Sequence, residues 1–325
     1  QIVILKQSWQ LMPGGGLRPL PVPRGIRLND EIFGDPRRTA LLAPTDLVPY
    51  KPHNEVIVTG MAQVAVARPS WLAGIAVGEW TKVLTVRGPR HWERSRLGKW
   101  SLSAAEPTTS TPLSSDMAFG GSFELPASPQ QTDKLLITCA DNPAGTGWLG
   151  AEPGVAMAKH QKEALRDQIA GLRRLQAPRL EFTDRPMGQQ PGGPAAVAGF
   201  GAYAAWSAPR LRHLDKMKPV PADFVGLPDD FNKDHWQQTP ADQWLPNDLQ
   251  GGERITMMGL LPEERASYTL PRSKFFLSVH GPTTLRLNLD MDIDTLVIDT
   301  QARVLEVIHR RIVRLDLFGD DLTIE

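Results

Sequence analysis

Proline and glycine constrain this chain more than any other feature of its sequence. It holds 29 Pro and 28 Gly among 325 residues. Proline lacks a backbone donor and breaks helices, and both residue types favour turns. Their frequency therefore cuts the chain into short pieces and disfavours long helices. We expect short strands, many turns and long ordered loops. The predicted fold is mainly β, with antiparallel sheets arranged as a sandwich or as two packed β subdomains.

Alternating side chains support this expectation most clearly in the stretch 80–87. Trp80, Lys82, Leu84 and Val86 should face one way and the residues between them the other, which is the period of two of a strand. Further strands are predicted at 2–11, 55–64, 71–77, 135–139, 254–258, 266–270, 275–279, 284–289, 295–299 and 304–314. Strands thus dominate both ends of the chain.

One amphipathic helix is predicted near 159–175. Ala164, Leu165 and Ile169 recur at helical spacing, followed by Leu172 and Leu175, and Pro178 should end the helix. Such an apolar stripe usually faces a core, although it could dock a partner helix. We expect one domain over 1–325, with candidate subdomains 1–150 and 196–325 joined by a connector at 151–195.

Composition narrows the function classes. The formal net charge is zero, which argues against broad nucleic-acid binding because that needs a basic surface. No apolar run approaches the ~20 residues that cross a bilayer, so no membrane partner is expected.

Cys139 is the single cysteine, which favours a reducing compartment and predicts a cytoplasmic protein. The chain opens at Gln1 in what reads as a strand, so we expect sequence to precede it.

Three patterns invite a metal or cofactor interpretation. The acids Asp290, Asp292 and Asp294 suggest calcium, but their alternation with apolar residues predicts the wet face of a strand. Gly199-Phe200-Gly201 imitates a dinucleotide loop without the strand and helix that such a loop joins. The seven histidines show no metal-ligand spacing. We therefore expect no metal and no cofactor.

Two groups of polar residues leave alternatives open. Lys51 beside Tyr50 is either a functional cation or a partner of Asp46 or Glu55. Asp230, Asp234 and His235 lie close in sequence and could share a proton or a metal, although such clusters are usually polar surface.

Several short sequence motifs, which we call family phrases, occur in an order that carries a resemblance. They include Pro49-Tyr50-Lys51-Pro52, Trp92-Glu93-Arg94, Ala118-Phe119-Gly120-Gly121, Asn142-Pro143, Ala198-Gly199-Phe200-Gly201, Trp206, Pro209-Arg210, Pro221-Ala222-Asp223-Phe224, Phe231-Asn232 and Pro240-Ala241-Asp242-Gln243. In this order, from about Ile32 to Arg311, the chain resembles the bacterial family called domain of unknown function 2169. It departs from the family pattern at Glu55, Ala202 and His309.

The resemblance implies a non-enzymatic type VI secretion adaptor or chaperone. Such a protein would bind a toxin effector, keep it soluble and help to load it onto the spike or its PAAR-type tip, with a co-chaperone as a further partner. The family phrases are expected to be mostly structural, with the partner surface in the loops between them. Their residues are nevertheless candidates for partner binding: Tyr50, Lys51, Pro52, Trp92, Arg94, Phe119, Gly120, Gly121, Asn142, Gly199, Phe200, Gly201, Trp206, Arg210, Asp223, Phe224, Asn232, Asp242 and Gln243.

Two other functions stay open. The first is an enzyme that modifies the effector or a small ligand through a site built from Asp223, Asp230, His235 and Asp242. The second is a structural module fused to another domain. No catalytic residue is assigned.

Overall fold

The computed structural model describes residues 1–32, 34–125, 134–150, 157–188, 190–192, 195–221, 226–280, 286–313 and 323–324. Within these residues the chain forms 24 strands and two α-helices. The helices are α1 (Lys159–Gly171) and α2 (Ala208–Leu211), and single 3-10 turns lie at Ser115–Met117, Arg212–Leu214, Lys233–Trp236 and Ala241–Gln243. The mainly β fold predicted from the sequence is confirmed.

The strands are short, as the distribution of proline and glycine predicts. In chain order they are β1 (Ile2–Leu11), β2 (Leu17–Pro19), β3 (Glu31–Ile32), β4 (Leu41–Ala43), β5 (Glu55–Thr59), β6 (Met61–Arg68), β7 (Ser70–Val77), β8 (Trp80–Arg87), β9 (His91–Arg94), β10 (Trp100–Leu102), β11 (Thr108–Pro112), β12 (Phe119–Gly120), β13 (Ser122–Leu125), β14 (Leu135–Thr138), β15 (Thr146–Gly147), β16 (Arg174–Gln176), β17 (Leu180–Phe182), β18 (Arg254–Met258), β19 (Arg265–Thr269), β20 (Phe276–His280), β21 (Arg286–Asp290), β22 (Asp292–Asp299), β23 (Val304–Ile312) and β24 (Thr323–Ile324).

Two five-stranded sheets form the centre of the fold. The first sheet has the order β2-β1-β23-β22-β5, in which β22 and β5 run parallel and the other pairs antiparallel. The second sheet is antiparallel, with the order β17-β8-β7-β18-β19. One buried cluster takes Val56 and Leu296 from the first sheet and Ile75, Leu84 and Met257 from the second. The two sheets therefore share a core as a sandwich.

The alternation predicted for the second sheet is confirmed in β8. Trp80, Lys82, Leu84 and Val86 are all buried, and the residues between them are more exposed. The pattern thus also places a lysine on the core side. Its charge needs a partner there, because an unpaired buried charge is costly.

A smaller hydrophobic cluster lies outside the sandwich. It gathers Phe119, Leu125, Ile137, Trp148 and Leu165, so it joins the β13-β14 hairpin to α1. The hydrophobic stripe of α1 faces this cluster, as predicted, through Ala164, Leu165 and Ile169.

The predicted end of the helix is wrong. The helix stops at Gly171, and 174–176 forms β16, which pairs with β9 and sets Leu175 opposite Trp92. Two residues expected on its stripe, Leu172 and Leu175, therefore lie outside it. Pairing with a strand distant in sequence overrides the local helical pattern here.

The acidic segment also departs from its predicted arrangement. Asp290 and Asp292 are exposed, but Asp294 is buried and lies 3.1 Å from the guanidinium of Arg310. The register of β22 against β23 shifts between Ile293 and Thr295. Such a bulge changes the face that the following side chains occupy.

Candidate partner-binding groove

A large open cavity lies between loops of the sandwich and the smaller cluster. Its volume is about 980 Å³. We call it the loop groove and define it by its lining: Pro36, Arg37, Thr39, Leu41, Leu42, Pro44, Val58–Met61, Pro112–Ser115, Lys134–Leu136, Thr138, Ala140–Ala144, Val197–Gly199, Gly201–Ala204, Trp206–Ala208, Pro240, Asp299 and Gln301. Its size suits a ligand of several residues or a small molecule.

Exposed apolar side chains stand in the wall of the loop groove. Leu42 on β4 is 51 % exposed and Trp206 is 44 % exposed. The indole Nε1 of Trp206 donates to the carbonyl of Pro36 over 3.4 Å, which joins two lining segments. Large apolar and aromatic groups that stay accessible are typical of binding surfaces.

The Asn142 phrase builds one end of the loop groove. The Asn142 side chain donates to the carbonyls of Ser115 at 2.7 Å and Phe119 at 3.0 Å. Its own carbonyl accepts from the Gly121 amide at 2.9 Å. Phe119 is buried in the smaller cluster. These contacts fix the loop backbone through groups that are thereby satisfied internally.

The phrase Gly199-Phe200-Gly201 lies against the edge of the first sheet. The Phe200 carbonyl accepts from the Val58 amide at 2.9 Å, and the Phe200 ring is fully buried. The two glycines line the loop groove. This phrase therefore positions a groove segment on β5.

Gln243 and Lys82 hold that segment from the core. The amide Nε2 of Gln243 donates to the carbonyls of Val56 at 2.8 Å and Phe200 at 2.9 Å. Its Oε1 accepts from Lys82 at 2.8 Å, and Asp242 accepts from Lys82 at 2.9 Å. Burial lowers the pKa of Lys82 to about 8, while Asp242 opposes that shift.

Tyr203 lines the groove in its neutral form. Burial is the main cause that raises the pKa of Tyr203 to about 12, and the charge of Asp141 adds to it. Its backbone amide donates to the carbonyl of Gln238 at 2.6 Å. Tyr203 therefore offers a phenol, not a phenolate, at neutral pH.

A buried ionic network supports the Tyr-Lys-Pro phrase. Lys51 pairs with Glu55, which is one of the two partners proposed from the sequence, and also donates to Gln238 at 2.8 Å and Thr295 at 2.7 Å. The second oxygen of Glu55 accepts four bonds from 237–239. Burial lowers the pKa of Lys51 and raises that of Asp294. The network ties β5 to the 237–239 segment.

Several family-phrase residues lie outside the groove lining. Trp92 lies on β9, the strand between β10 and β16, and its side chain is fully buried. Arg94 donates to the carbonyls of Ile169 and Ala170, at the C-terminal end of α1, where a cation is favourable. Arg210 is buried and donates twice to the carbonyl of His235, at 3.0 and 3.1 Å.

A separate aromatic group forms around Tyr50. Its ring meets that of Trp236 edge-on at 6.3 Å, and the ammonium of Lys233 lies 5.6 Å from the ring centre. Pro52 nearby is half-buried. Asn232 caps the Lys233–Trp236 turn by accepting from the Asp234 amide.

The described residues of the enzymatic alternative do not share a hydrogen-bond or ion-pair partner. Asp230 accepts from the Lys218 amide, His235 contacts the Arg210 carbonyl, and Asp242 pairs with Lys82. Asp223, with Phe224, lies outside the described residues. Among the residues that the structure describes, no group of three or more His, Cys, Asp or Glu is placed to hold a metal.

Among the predicted residues, Asn142, Gly199, Gly201 and Trp206 line the groove. Phe200 and Gln243 lie behind the lining and fix its backbone through hydrogen bonds. Sequence reasoning missed the walls at Leu41–Leu42 and at 134–138. The one sequence signal for the first of these walls was the pair of adjacent leucines. Such a pair is equally common in buried strands, so it does not indicate an exposed wall.

Comparison with known proteins identifies the family. The family model described as "Uncharacterized protein conserved in bacteria (DUF2169)" matches residues 1–310. The chain therefore belongs to this family, as its phrases indicated. No curated protein and no solved structure matches it. Among the described residues, no helix has both the length and the apolar character needed to cross a bilayer.

Proposed function

We propose that this protein is a non-enzymatic type VI secretion adaptor that acts in the cytoplasm. It binds a toxin effector through the loop groove and helps to load it onto the spike or its PAAR-type tip. The family resemblance suggests the class of partner. The observation that carries the proposal is the groove itself. Its wall exposes apolar side chains, and family phrases fix its backbone.

The frame and the walls of the groove suit an adaptor for a physical reason. Asn142 and Phe200 fix the backbone by internal hydrogen bonds, so the groove is ordered before a partner binds. Preorganisation lowers the entropy lost on association. Leu42 and Trp206 then supply apolar area of the kind that dominates binding energy.

The resemblance implies that effector and spike genes lie beside the gene for this protein, so co-expression with the candidate effector from the adjacent gene tests this function. The wild-type protein should keep the effector soluble and retain it in a pull-down with the spike or tip protein. The double variant Leu42→Asp with Trp206→Ala should weaken effector binding by about 100-fold, because each hot-spot residue contributes on the order of 1–2 kcal/mol.

Leu97→Asp is the matched control, since Leu97 is 96 % exposed and does not line the groove. Its affinity should stay within about twofold of the wild type. An effector that is soluble, spike-associated and secreted without this protein would exclude the adaptor function. Loss of function in Asp230→Ala with effector binding intact would favour the enzymatic alternative.

A further inference from the structure

The strand β14 offers an unpaired edge inside the loop groove. Within the described part of the chain its one pairing partner is β13, in a two-stranded sheet. Leu135, Leu136 and Thr138 of this strand line the groove. An isolated two-stranded hairpin is marginally stable in water, and an open edge is a template for another strand.

The register shows which backbone groups point to the open side. Cys139 donates to the carbonyl of Gly121, so this pair is hydrogen-bonded across the hairpin. In an antiparallel ladder the bonded pairs alternate, which makes Ile137 opposite Phe123 the next bonded pair. The N–H and C=O groups of Leu136 and Thr138 therefore point away from β13. Among the described residues, none forms a hydrogen bond with these groups.

The charges of the groove indicate the chemistry of its occupant. Four charged side chains line it, and each has an ion-pair partner outside the lining. Arg37 pairs with Asp35, Lys134 with Glu124, Asp141 with Arg212 and Asp299 with Arg24. Two of the four described lining charges are positive and two are negative, so they balance and do not favour a ligand of either charge. What the groove offers is apolar surface together with free peptide groups.

We propose that the loop groove binds an extended, uncharged segment of the effector as an added β-strand, paired with the free edge of β14. This proposal rests on the adaptor function and specifies how the effector is held. The backbone groups of Leu136 and Thr138 supply the hydrogen bonds, while the groove walls contact alternate side chains of the segment.

A proline at position 138 tests the pairing directly. Thr138→Pro removes an N–H that points outward, so it costs the hairpin none of its own hydrogen bonds, and proline is tolerated on an edge of this kind. Thr138→Val keeps the N–H and the shape of the side chain, and serves as the control. The probe is the effector encoded by the adjacent gene, added to the full-length chain.

Thr138→Pro should weaken effector binding by about tenfold, the effect of one lost hydrogen bond. Thr138→Val should bind within about twofold of the wild type. In wild-type protein, effector binding should slow amide exchange in the 134–139 segment. This measurement decides the matter if the proline variant does not fold.

Three results would overturn the strand pairing. If Thr138→Val binds as weakly as Thr138→Pro, the side chain and not the backbone is recognised. If Thr138→Pro folds and binds like the wild type, or exchange at 134–139 is unchanged in the complex, the edge is unused. In all three cases the adaptor function stands. If the wild-type protein fails to bind the effector, both proposals fail.

Discussion

At the scale of single residues, burial changes the acid–base chemistry of Lys82. It is buried on the core side of β8, with Asp242 and Gln243 as its partners. Burial lowers its pKa from 10.5 to about 8. Below pH 8 both folded and unfolded chains carry this charge, and the folded chain bears the cost of burying it.

That cost should fall as the pH rises. Between pH 8 and 10.5 the unfolded chain binds the Lys82 proton more strongly than the folded chain, so the free energy of unfolding increases with pH. Over this window the gain is about 2–3 kcal/mol. In Lys82→Met the gain should be absent. Urea unfolding of both proteins at pH 7 and pH 10 measures the difference, and parallel pH profiles would contradict the assignment.

At the scale of elements, the short parallel pair β12-β15 depends on a glycine. Gly120 has a φ of +151°, and a Cβ at this position would lie 2.1 Å from the carbonyl oxygen of Asn142. Because that oxygen belongs to backbone, the side chain cannot be accommodated by a change of rotamer. Gly120→Ala should therefore lower the free energy of unfolding by about 2–3 kcal/mol.

Gly171→Ala provides the control of opposite sign. Nothing lies within 4 Å of a Cβ at Gly171, which is the last residue of α1. Alanine is favoured over glycine in a helix by about 0.5–1 kcal/mol, so this variant should be stabilised slightly. Thermal or urea unfolding of the two variants is sufficient. Equal effects at both positions would show that the close approach to Asn142 is not limiting.

The strands and the helix also show which structural features could be predicted from the sequence. Period-two alternation predicted β8 correctly, including the face that Lys82 shares with Trp80 and Leu84, because alternation is a local property. The end of α1 and the burial of Asp294 were not predictable in this way. The first depends on pairing of β16 with a distant strand, and the second on a bulge in β22. Neither leaves a signal in the local pattern.

At the scale of the whole molecule, the loop groove depends on contacts between residues distant in sequence. Its walls come from segments near 40, 136 and 206, and family order alone could name Asn142 and Trp206 but not their common surface. Fixed positions for these segments require that the two sheets and the smaller cluster hold together.

Gln243 is fully buried and connects both sheets to the groove segment. It bonds to the Val56 carbonyl of the first sheet, to Lys82 of the second and to the Phe200 carbonyl. Gln243→Ala leaves these groups unsatisfied and opens a cavity, so the free energy of unfolding should fall by about 3 kcal/mol or more. Amide exchange should accelerate in β5 and in β8 together.

The exposed Gln250→Ala should change stability by less than about 0.5 kcal/mol. Faster exchange in one sheet alone would mean that the sheets are held together elsewhere, since the loss of a shared connection must reach both.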